Sequence, residues 1–134
     1  MGDKKKVIFV DDNQDYLNLM EEELESLDYE WKGILQTPNL DVLDQLAAEK
    51  PDLIFLDVMF AKGFSTGLAS RIRANEVLKD VPVYLMSFLD LAEIEAIANK
   101  NEVNGCFMKP VEQEDMKDLF VEHFQMNITF IDEE

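Results

Sequence analysis

Residues 51–60 of this chain read PDLIFLDVMF, and this stretch decides the fold. A short apolar run that follows a proline is typical of a strand buried on both faces of a parallel sheet. One carboxylate, Asp57, stands near the far end of the run. Burying an unpaired carboxylate is costly, so the sequence predicts that Asp57 is held on this rigid element for its chemistry.

Three further segments have the same short, apolar character, and a fourth is weaker. They are KVIFV (6–10), VPVYLM (81–86), GCFM (105–108) and, less clearly, YEWKGILQ (29–36). Between the strands, apolar residues recur at spacings of three and four, which predicts amphipathic helices. These positions are Leu17, Met20, Leu24 and Leu27; Leu40, Leu43, Leu46 and Ala47; residues 68–72; Leu91, Ile94, Ile97 and Ala98; and Met116, Leu119, Phe120 and Phe124.

Strand and helix thus alternate five times along the chain. Because each apolar strand needs cover on two sides, this order predicts an α/β fold with a doubly wound, five-stranded parallel sheet and five helices. In such sheets, ligands bind where the carboxyl ends of the strands meet the amino ends of the helices. We therefore expect a functional site at the ends of the strands.

The composition limits the function further. A length of 134 residues, 47% of them hydrophobic, is that of one ordinary globular domain. The net charge of −17 opposes binding to nucleic acid. No apolar stretch reaches the roughly 20 residues of a membrane span, and no signal peptide is evident, so we expect a cytoplasmic protein without membrane contact. With one cysteine, Cys106, and one histidine, His123, a disulfide framework and a Cys/His zinc site are poorly supported.

Three aspartates are predicted to meet at one edge of the sheet. Asp11 and Asp12 follow the first strand, and Asp57 ends the third. Two unit charges about 4 Å apart repel by roughly 4 kcal/mol at an effective dielectric of about 20. Either one or more of the carboxylates takes up a proton, or a cation binds among them, and such oxygen ligands suit Mg²⁺. Helix capping by Asp12 or Asn13 is a simpler explanation of those two residues, but it does not extend to Asp57.

The last two strands bring a hydroxyl and an ammonium to the same edge. VYLMS ends in Ser87, and CFMKP ends in Lys109 followed by Pro110. Mg²⁺ and the lysine would offset the carboxylates and leave room for a phosphoryl group, whose oxygens need cations and hydrogen-bond donors. Asp57 would then act as a nucleophile and form an acyl phosphate, to which Ser87 donates a hydrogen bond.

The segments VDDN, PDLIFLD, Ser87 and KP occur in this order at these strand ends, and together they resemble the CheY-like receiver domain of two-component response regulators. The resemblance implies a flavodoxin-like fold with strand order 2-1-3-4-5. It covers roughly residues 5–126, so we predict a receiver domain over residues 1–126 and a C-terminal tail over 127–134. The sequence does not decide whether the apolar tail residues Ile128, Phe130 and Ile131 dock on the domain, join a partner or begin a linker.

The resemblance also assigns roles at the acidic edge. Asp57 is the expected phosphoacceptor. Asp11, Asp12 and Asp57 are the expected Mg²⁺ site, and the backbone carbonyl of Met59 is expected to complete it. Such a protein is a signalling domain that gains and loses phosphate, and not a turnover enzyme.

The resemblance assigns Ser87 and Lys109 to the phosphate, and it implies a cis peptide bond before Pro110. The implied phosphodonor is a histidine kinase or a phosphotransfer protein. The output is expected through contact with a downstream target protein, with a homodimer as one alternative.

Three features depart from the usual pattern of the family. Cys106 stands where receivers usually carry an aromatic switch residue, and Phe107 is expected on the opposite side of the strand. Phe88 stands where a small residue usually follows the hydroxyl, so its ring is expected to restrict access to the site. The loop VMFAKGFSTGL (58–68) is longer than usual and lacks the usual proline.

Two other functions compete with a phosphorylatable receiver. The departures favour a pseudo-receiver, an interaction module that is not phosphorylated, but the intact acidic set argues against it. An aspartyl phosphatase on a similar sheet usually carries two aspartates one residue apart after the first strand, whereas Asp11 and Asp12 are adjacent. The leading hypothesis is therefore a receiver in a two-component phosphorelay, which accepts a phosphoryl group on Asp57.

Overall fold

The computed structural model describes residues 4–24, 26–36, 42–57, 59–60, 63–64, 66–88, 90, 92–93, 95 and 103–128. The helices and strands follow one another in the order β1 (Lys6–Asp11), α1 (Gln14–Leu24), β2 (Glu30–Leu35), α2 (Val42–Glu49), β3 (Leu53–Asp57), β4 (Met59–Phe60), β5 (Gly63–Phe64), α3 (Thr66–Ala74), β6 (Val83–Ser87), β7 (Gly105–Met108) and α4 (Gln113–Phe124).

Five of these strands form one parallel sheet with the order β2-β1-β3-β6-β7. Counted along the chain, this is the predicted order 2-1-3-4-5, which is confirmed. The central strands β1 and β3 pair Val7 with Leu53 and Val10 with Leu56, and both runs are fully buried. The two runs whose four residues are all completely buried therefore lie side by side in the middle of the sheet.

The alternation of side chains along the strands divides the core into two clusters. The first cluster joins the odd-numbered residues of β1 and β3 to helices α1 and α4. The second cluster joins the even-numbered residues of the same strands to α2 and α3. Both faces of the sheet are thus covered, which is why the strand sequences are apolar without interruption. None of the described helices combines the length and apolar character that a membrane span requires.

The element count differs from the prediction in two places. The described part of the chain contains four helices where the sequence predicted five, and the predicted positions Leu91, Ile94, Ile97 and Ala98 lie outside the described residues, as does Leu40. Between β3 and α3 the chain forms an antiparallel ladder, β4 with β5, that pairs Met59 with Phe64 and Phe60 with Gly63. Strands of two residues are too short to produce a readable periodicity, so the sequence predicted only a long loop.

The end of the described chain folds back onto the domain. Gln125 has a φ of 52°, a left-handed conformation that terminates α4, and its N–H donates to the carbonyl of Val121. Beyond this turn, Ile128 is 5% exposed and belongs to the first cluster. Of the open alternatives for the tail, docking on the domain applies to Ile128, while Phe130 and Ile131 lie outside the described residues.

An ion-pair network joins the amino-terminal parts of β1 and β2 to the end of α2. The carboxylate of Glu49 lies 2.9 Å from Lys6 Nζ on β1 and 2.8 Å from Lys32 Nζ on β2. Lys6 Nζ also lies 3.1 Å from Glu30. The two lysines lower the pKa of Glu49 below its usual range, mainly by hydrogen bonding. A carboxyl whose pKa is lower in the folded protein stabilises the fold above the unfolded pKa and loses that effect as the pH falls.

Glu49→Gln should therefore lower the free energy of unfolding at about pH 7 by about 1 kcal/mol, and the difference should shrink as the pH falls through the lowered pKa of Glu49. Denaturant unfolding across this pH range measures it. Glu76→Gln is the matched control, because the Glu76 side chain is 89% exposed and forms a surface ion pair with Lys79, three residues along. Equal losses in the two variants, or a loss at Glu49 that persists in acid, would contradict the assignment.

Candidate functional site

The predicted site residues converge because of the register of the strands. β1 and β3 pair Val10 with Leu56, so the next residues, Asp11 and Asp57, follow side by side at the carboxyl edge of the sheet. In each strand the aspartate lies two residues beyond a phenylalanine of the first cluster, so both carboxylates emerge on the side covered by α1 and α4. The structure thus brings together carboxylates that are 46 positions apart in the sequence.

Lys109 joins these two aspartates. Its Nζ lies 2.6 Å from Asp11 Oδ2 and 3.2 Å from Asp57 Oδ1. The Lys109 side chain is 5% exposed, and Asp11 and Asp57 are both buried. Charge-assisted hydrogen bonds are strong in such a place, and a buried carboxylate without one would be costly. One ammonium balances only one of the carboxylates at this edge.

The environment of Asp11 shows this imbalance. Burial raises the pKa of its carboxyl above the ordinary value, while the hydrogen bond and the charge of Lys109 act in the opposite direction. Asp11 Oδ1 accepts the backbone N–H of Asn13 at 2.9 Å, and the nearby charge of Asp12 raises the pKa further. A further cation at this edge would relieve the remaining repulsion.

The donor set fits a hard divalent cation. Carboxylate oxygens of Asp11, Asp12 and Asp57 lie within 4.8 Å of one another. Mg²⁺ holds its oxygen ligands at about 2.1 Å, so two opposite ligands are about 4.2 Å apart, which is comparable to this spacing. Asp12 is half-buried, which leaves the cluster open to solvent on one side. Met59 begins β4 two residues beyond Asp57.

Ser87 ends β6 and Lys109 directly follows the neighbouring strand β7, so both lie at the same edge. Ser87 is buried, and its carbonyl accepts the backbone N–H of Lys109 at 2.8 Å, which fixes the two strand ends to each other. The peptide bond between Lys109 and Pro110 is cis. The edge forms an open depression of about 330 Å³, lined by Asp11, Asp12, Asn13, Asp57, Ser87, Phe88 and Lys109.

Asn13, and not Asp12, caps the first helix. Asn13 Oδ1 accepts the N–H of Tyr16 at 3.1 Å, and the Asn13 carbonyl accepts the N–H of Leu17 at 3.2 Å. The simpler explanation by capping therefore applies to Asn13. Asp12 remains available to the acidic cluster.

Two aromatic rings contact Lys109, and the sequence analysis named only one of them. Lys109 Nζ lies 5.2 Å from the ring centre of Phe88, which follows Ser87, and 4.3 Å from that of Tyr16 on α1. Tyr16 is buried, and burial raises the pKa of its hydroxyl above the ordinary value. No periodicity of the sequence predicts this contact, because it depends on the rotation of α1 over the sheet, which the Asn13 cap sets.

The single cysteine and the single histidine of the chain both have structural contacts outside the acidic cluster. Cys106 and Phe107 lie on opposite faces of β7, since Cys106 packs against the second cluster and Phe107 against the first. Burial raises the pKa of the Cys106 thiol, which keeps it in its less reactive form. His123 Nε2 lies 2.6 Å from the hydroxyl of Tyr84, whose pKa burial raises to about 12.

Solved structures with the same fold come from several bacteria. The chain is 19% identical to a two-component response regulator from Clostridium difficile (TM-score 0.72, covering 91% of this chain and 97% of that one) and 18% identical to the chemotaxis protein CheY4 of Vibrio cholerae (TM-score 0.75, 90% and 98%). It is 16% identical to the signal receiver domain of a signal transduction histidine kinase from Syntrophus aciditrophicus (TM-score 0.73, 90% and 90%). At these identities the likeness shows the fold alone. Among curated protein sequences, no significant match was found.

A family model gives the more specific result. The model for the response regulator receiver domain matches residues 7–120, which include both the acidic cluster and the lysine. The match spans most of the 134 residues and agrees with the order of the strands. The chain therefore belongs to the response regulator receiver domain family of two-component signalling.

Proposed function

We propose that this receiver domain is phosphorylated on Asp57. The observation that supports the proposal most directly is the position of Asp57, a buried carboxylate that lines an open depression and has the Lys109 ammonium 3.2 Å away. Receiver domains are signalling domains and not turnover enzymes. We therefore assign Asp57 as a phosphoacceptor that is loaded and unloaded, and not as the nucleophile of a hydrolase.

The same site holds Mg²⁺ in this proposal, as receiver domains typically do at an acidic pocket. Asp11, Asp12 and Asp57 are the carboxylate ligands or hold them through water, and the backbone carbonyl of Met59 is the further ligand. When bound, Mg²⁺ supplies positive charge that offsets the carboxylates and the oxygens of the transferred group. The spacing of the carboxylate oxygens, within 4.8 Å of one another, supports this assignment.

Each of the site residues has a separate role in the proposed transfer of the phosphoryl group. A carboxylate oxygen of Asp57 forms a bond to the phosphorus of a phosphohistidine, the phosphorus–nitrogen bond breaks, and the donor histidine leaves with the electron pair of that bond. Lys109 is already between Asp57 and Asp11, so it can follow the new negative charge onto a phosphoryl oxygen. The Ser87 hydroxyl donates to a second oxygen, and Asp11 keeps Lys109 oriented towards the site.

The output then comes through protein contacts. Receiver domains of two-component systems interact with histidine kinases and downstream effectors. For this chain we propose a histidine kinase or a phosphotransfer protein as the donor, in the cytoplasm. The downstream partner is a target protein or a second copy of the chain. The receiver domain itself is proposed to extend over residues 1–126. The phosphate adds negative charge at the strand ends, which moves Ser87 and Lys109 and alters the surface beside them.

Phosphate uptake tests the proposal directly. Incubation with acetyl phosphate and Mg²⁺ should give a species heavier by one phosphoryl group, and Asp57→Asn should abolish it. Asp28→Asn is the matched control, because Asp28 is an exposed aspartate paired with Lys4 before β2, at the opposite edge of the sheet. Intact-protein mass spectrometry measures the product. Failure of the wild-type protein to take up phosphate from acetyl phosphate and from a phosphorylated histidine protein would leave the pseudo-receiver as the function.

Metal binding gives a separate prediction. Titration calorimetry should show one Mg²⁺ bound by the wild-type protein, and Asp12→Asn should weaken the affinity at least about tenfold, because it removes one charged ligand from the cluster. Asp15→Asn is the control, since Asp15 is an exposed aspartate in the first turn of α1. Equal affinities for the two variants would remove Asp12 from the metal site.

A further inference from the structure

The ammonium of Lys109 is enclosed by four groups. Two are the carboxylates of Asp11 and Asp57, at 2.6 and 3.2 Å. The other two are the rings of Tyr16 and Phe88, with centres at 4.3 and 5.2 Å from Nζ. The rings also contact each other edge to face, with their centres 6.2 Å apart. We call the two rings the aromatic clamp.

The two rings of the clamp are held very differently. Tyr16 is 5% exposed, its hydroxyl lies 3.6 Å from the sulfur of Met86 on β6, and its backbone N–H is fixed by the Asn13 cap. Phe88 is 72% exposed at the rim of the depression. One ring is thus part of the core, and the other is a surface residue that contacts Tyr16 and Lys109.

We infer that Tyr16 and Phe88 are positioning residues for Lys109, which hold its ammonium beside Asp57 before the phosphoryl group arrives. The inference rests on the proposed function of Asp57. Phe88 thereby gains a role beyond the restriction of access. From the position after Ser87, its ring completes the enclosure of the lysine.

Physical chemistry favours this enclosure. An aromatic face attracts a cation, and the attraction grows when water is kept away from the cation. The Lys109 side chain is 5% exposed, so the rings replace part of its hydration. A flexible lysine side chain loses much rotational freedom when it binds a phosphate, and a lysine that is already confined has less to lose. The depression, on which Asp57, Ser87 and Lys109 all border, is the side on which the ammonium can meet a phosphoryl oxygen.

Paired substitutions at Phe88 separate the ring from its bulk. Phe88→Leu keeps an apolar side chain of similar size but removes the aromatic face, and Phe88→Tyr keeps that face. The leucine variant should be phosphorylated by acetyl phosphate about two- to fivefold more slowly than the wild-type protein at equal Mg²⁺, whereas the tyrosine variant should remain close to it. Because Phe88 is exposed, neither change disturbs the core.

The same pair of changes at Tyr16 should follow the same order, with Tyr16→Phe retaining the rate and Tyr16→Leu reducing it. Tyr16 is buried, so thermal unfolding must show that Tyr16→Leu is folded at the assay temperature. If that variant is unfolded, the Phe88 pair alone decides the outcome.

Nuclear magnetic resonance supplies a readout that a purely structural role would not give. Aromatic rings shift the signals of protons that lie over their faces, so the ε-methylene protons of Lys109 should resonate upfield of those of the other lysines. Lys109→Arg assigns the signal by its disappearance. Phe88→Leu should move the signal towards the ordinary lysine position, and Phe88→Tyr should not.

The outcomes distinguish this inference from the proposed function. If the wild-type protein takes up phosphate but the leucine and tyrosine variants react at equal rates, the clamp is wrong and the function of Asp57 stands. If the Lys109 signal has the ordinary position in the wild-type protein, the clamp is also wrong. If the wild-type protein takes up no phosphate, the proposed function is wrong. A shifted Lys109 signal would then show that the rings enclose the lysine, but without phosphoryl transfer the positioning role is wrong as well.

Discussion

The arrangement on which the site depends is one ammonium placed among three carboxylates. Lys109 makes its shortest contact, 2.6 Å, with Asp11, which is fully buried. An aspartate in that position is tolerated because the lysine and the backbone N–H of Asn13 bind both of its oxygens. With Asp57 and Asp12 also at this edge, the negative charge exceeds the positive charge that the chain itself provides. The described residues alone therefore leave an excess of negative charge at this edge, which a bound cation would offset.

The sheet provides this arrangement through its two periodicities. Parallel pairing puts the carboxyl ends of all the strands at one edge of the sheet. The alternation of side chains along each strand then decides to which face its last residue points. Asp11 and Asp57 lie on the same face of the sheet as Phe9 and Phe55, and α1 and α4 cover this face. Ser87 continues the opposite face, that of Val83 and Leu85. A phosphoryl group bound to Asp57 can therefore be approached from one face by the ammonium and from the other by the hydroxyl.

Much of this could be predicted from the sequence because it follows from strand ends. The apolar runs before Asp11, Asp57, Ser87 and Lys109 are clear, and the end of a parallel strand has a fixed place in the fold. The contact of Tyr16 with Lys109 could not be predicted in the same way. It depends on the rotation of α1 over the sheet, which the Asn13 cap sets and no periodicity encodes.

The position of the aromatic residues bears on how the domain signals. Cys106 stands where the family usually has its aromatic switch, and Phe107 is no substitute for it, because it packs on the first face against Phe55 and Tyr84. Among the residues that the structure describes, the exposed ring that touches the site is Phe88, through Lys109. A ring held in place by a cation becomes less well held when that cation moves to another charge. If Asp57 is phosphorylated as we propose, the added charge can therefore reach the surface through Lys109 and the Phe88 ring, a path that does not pass through the position of Cys106.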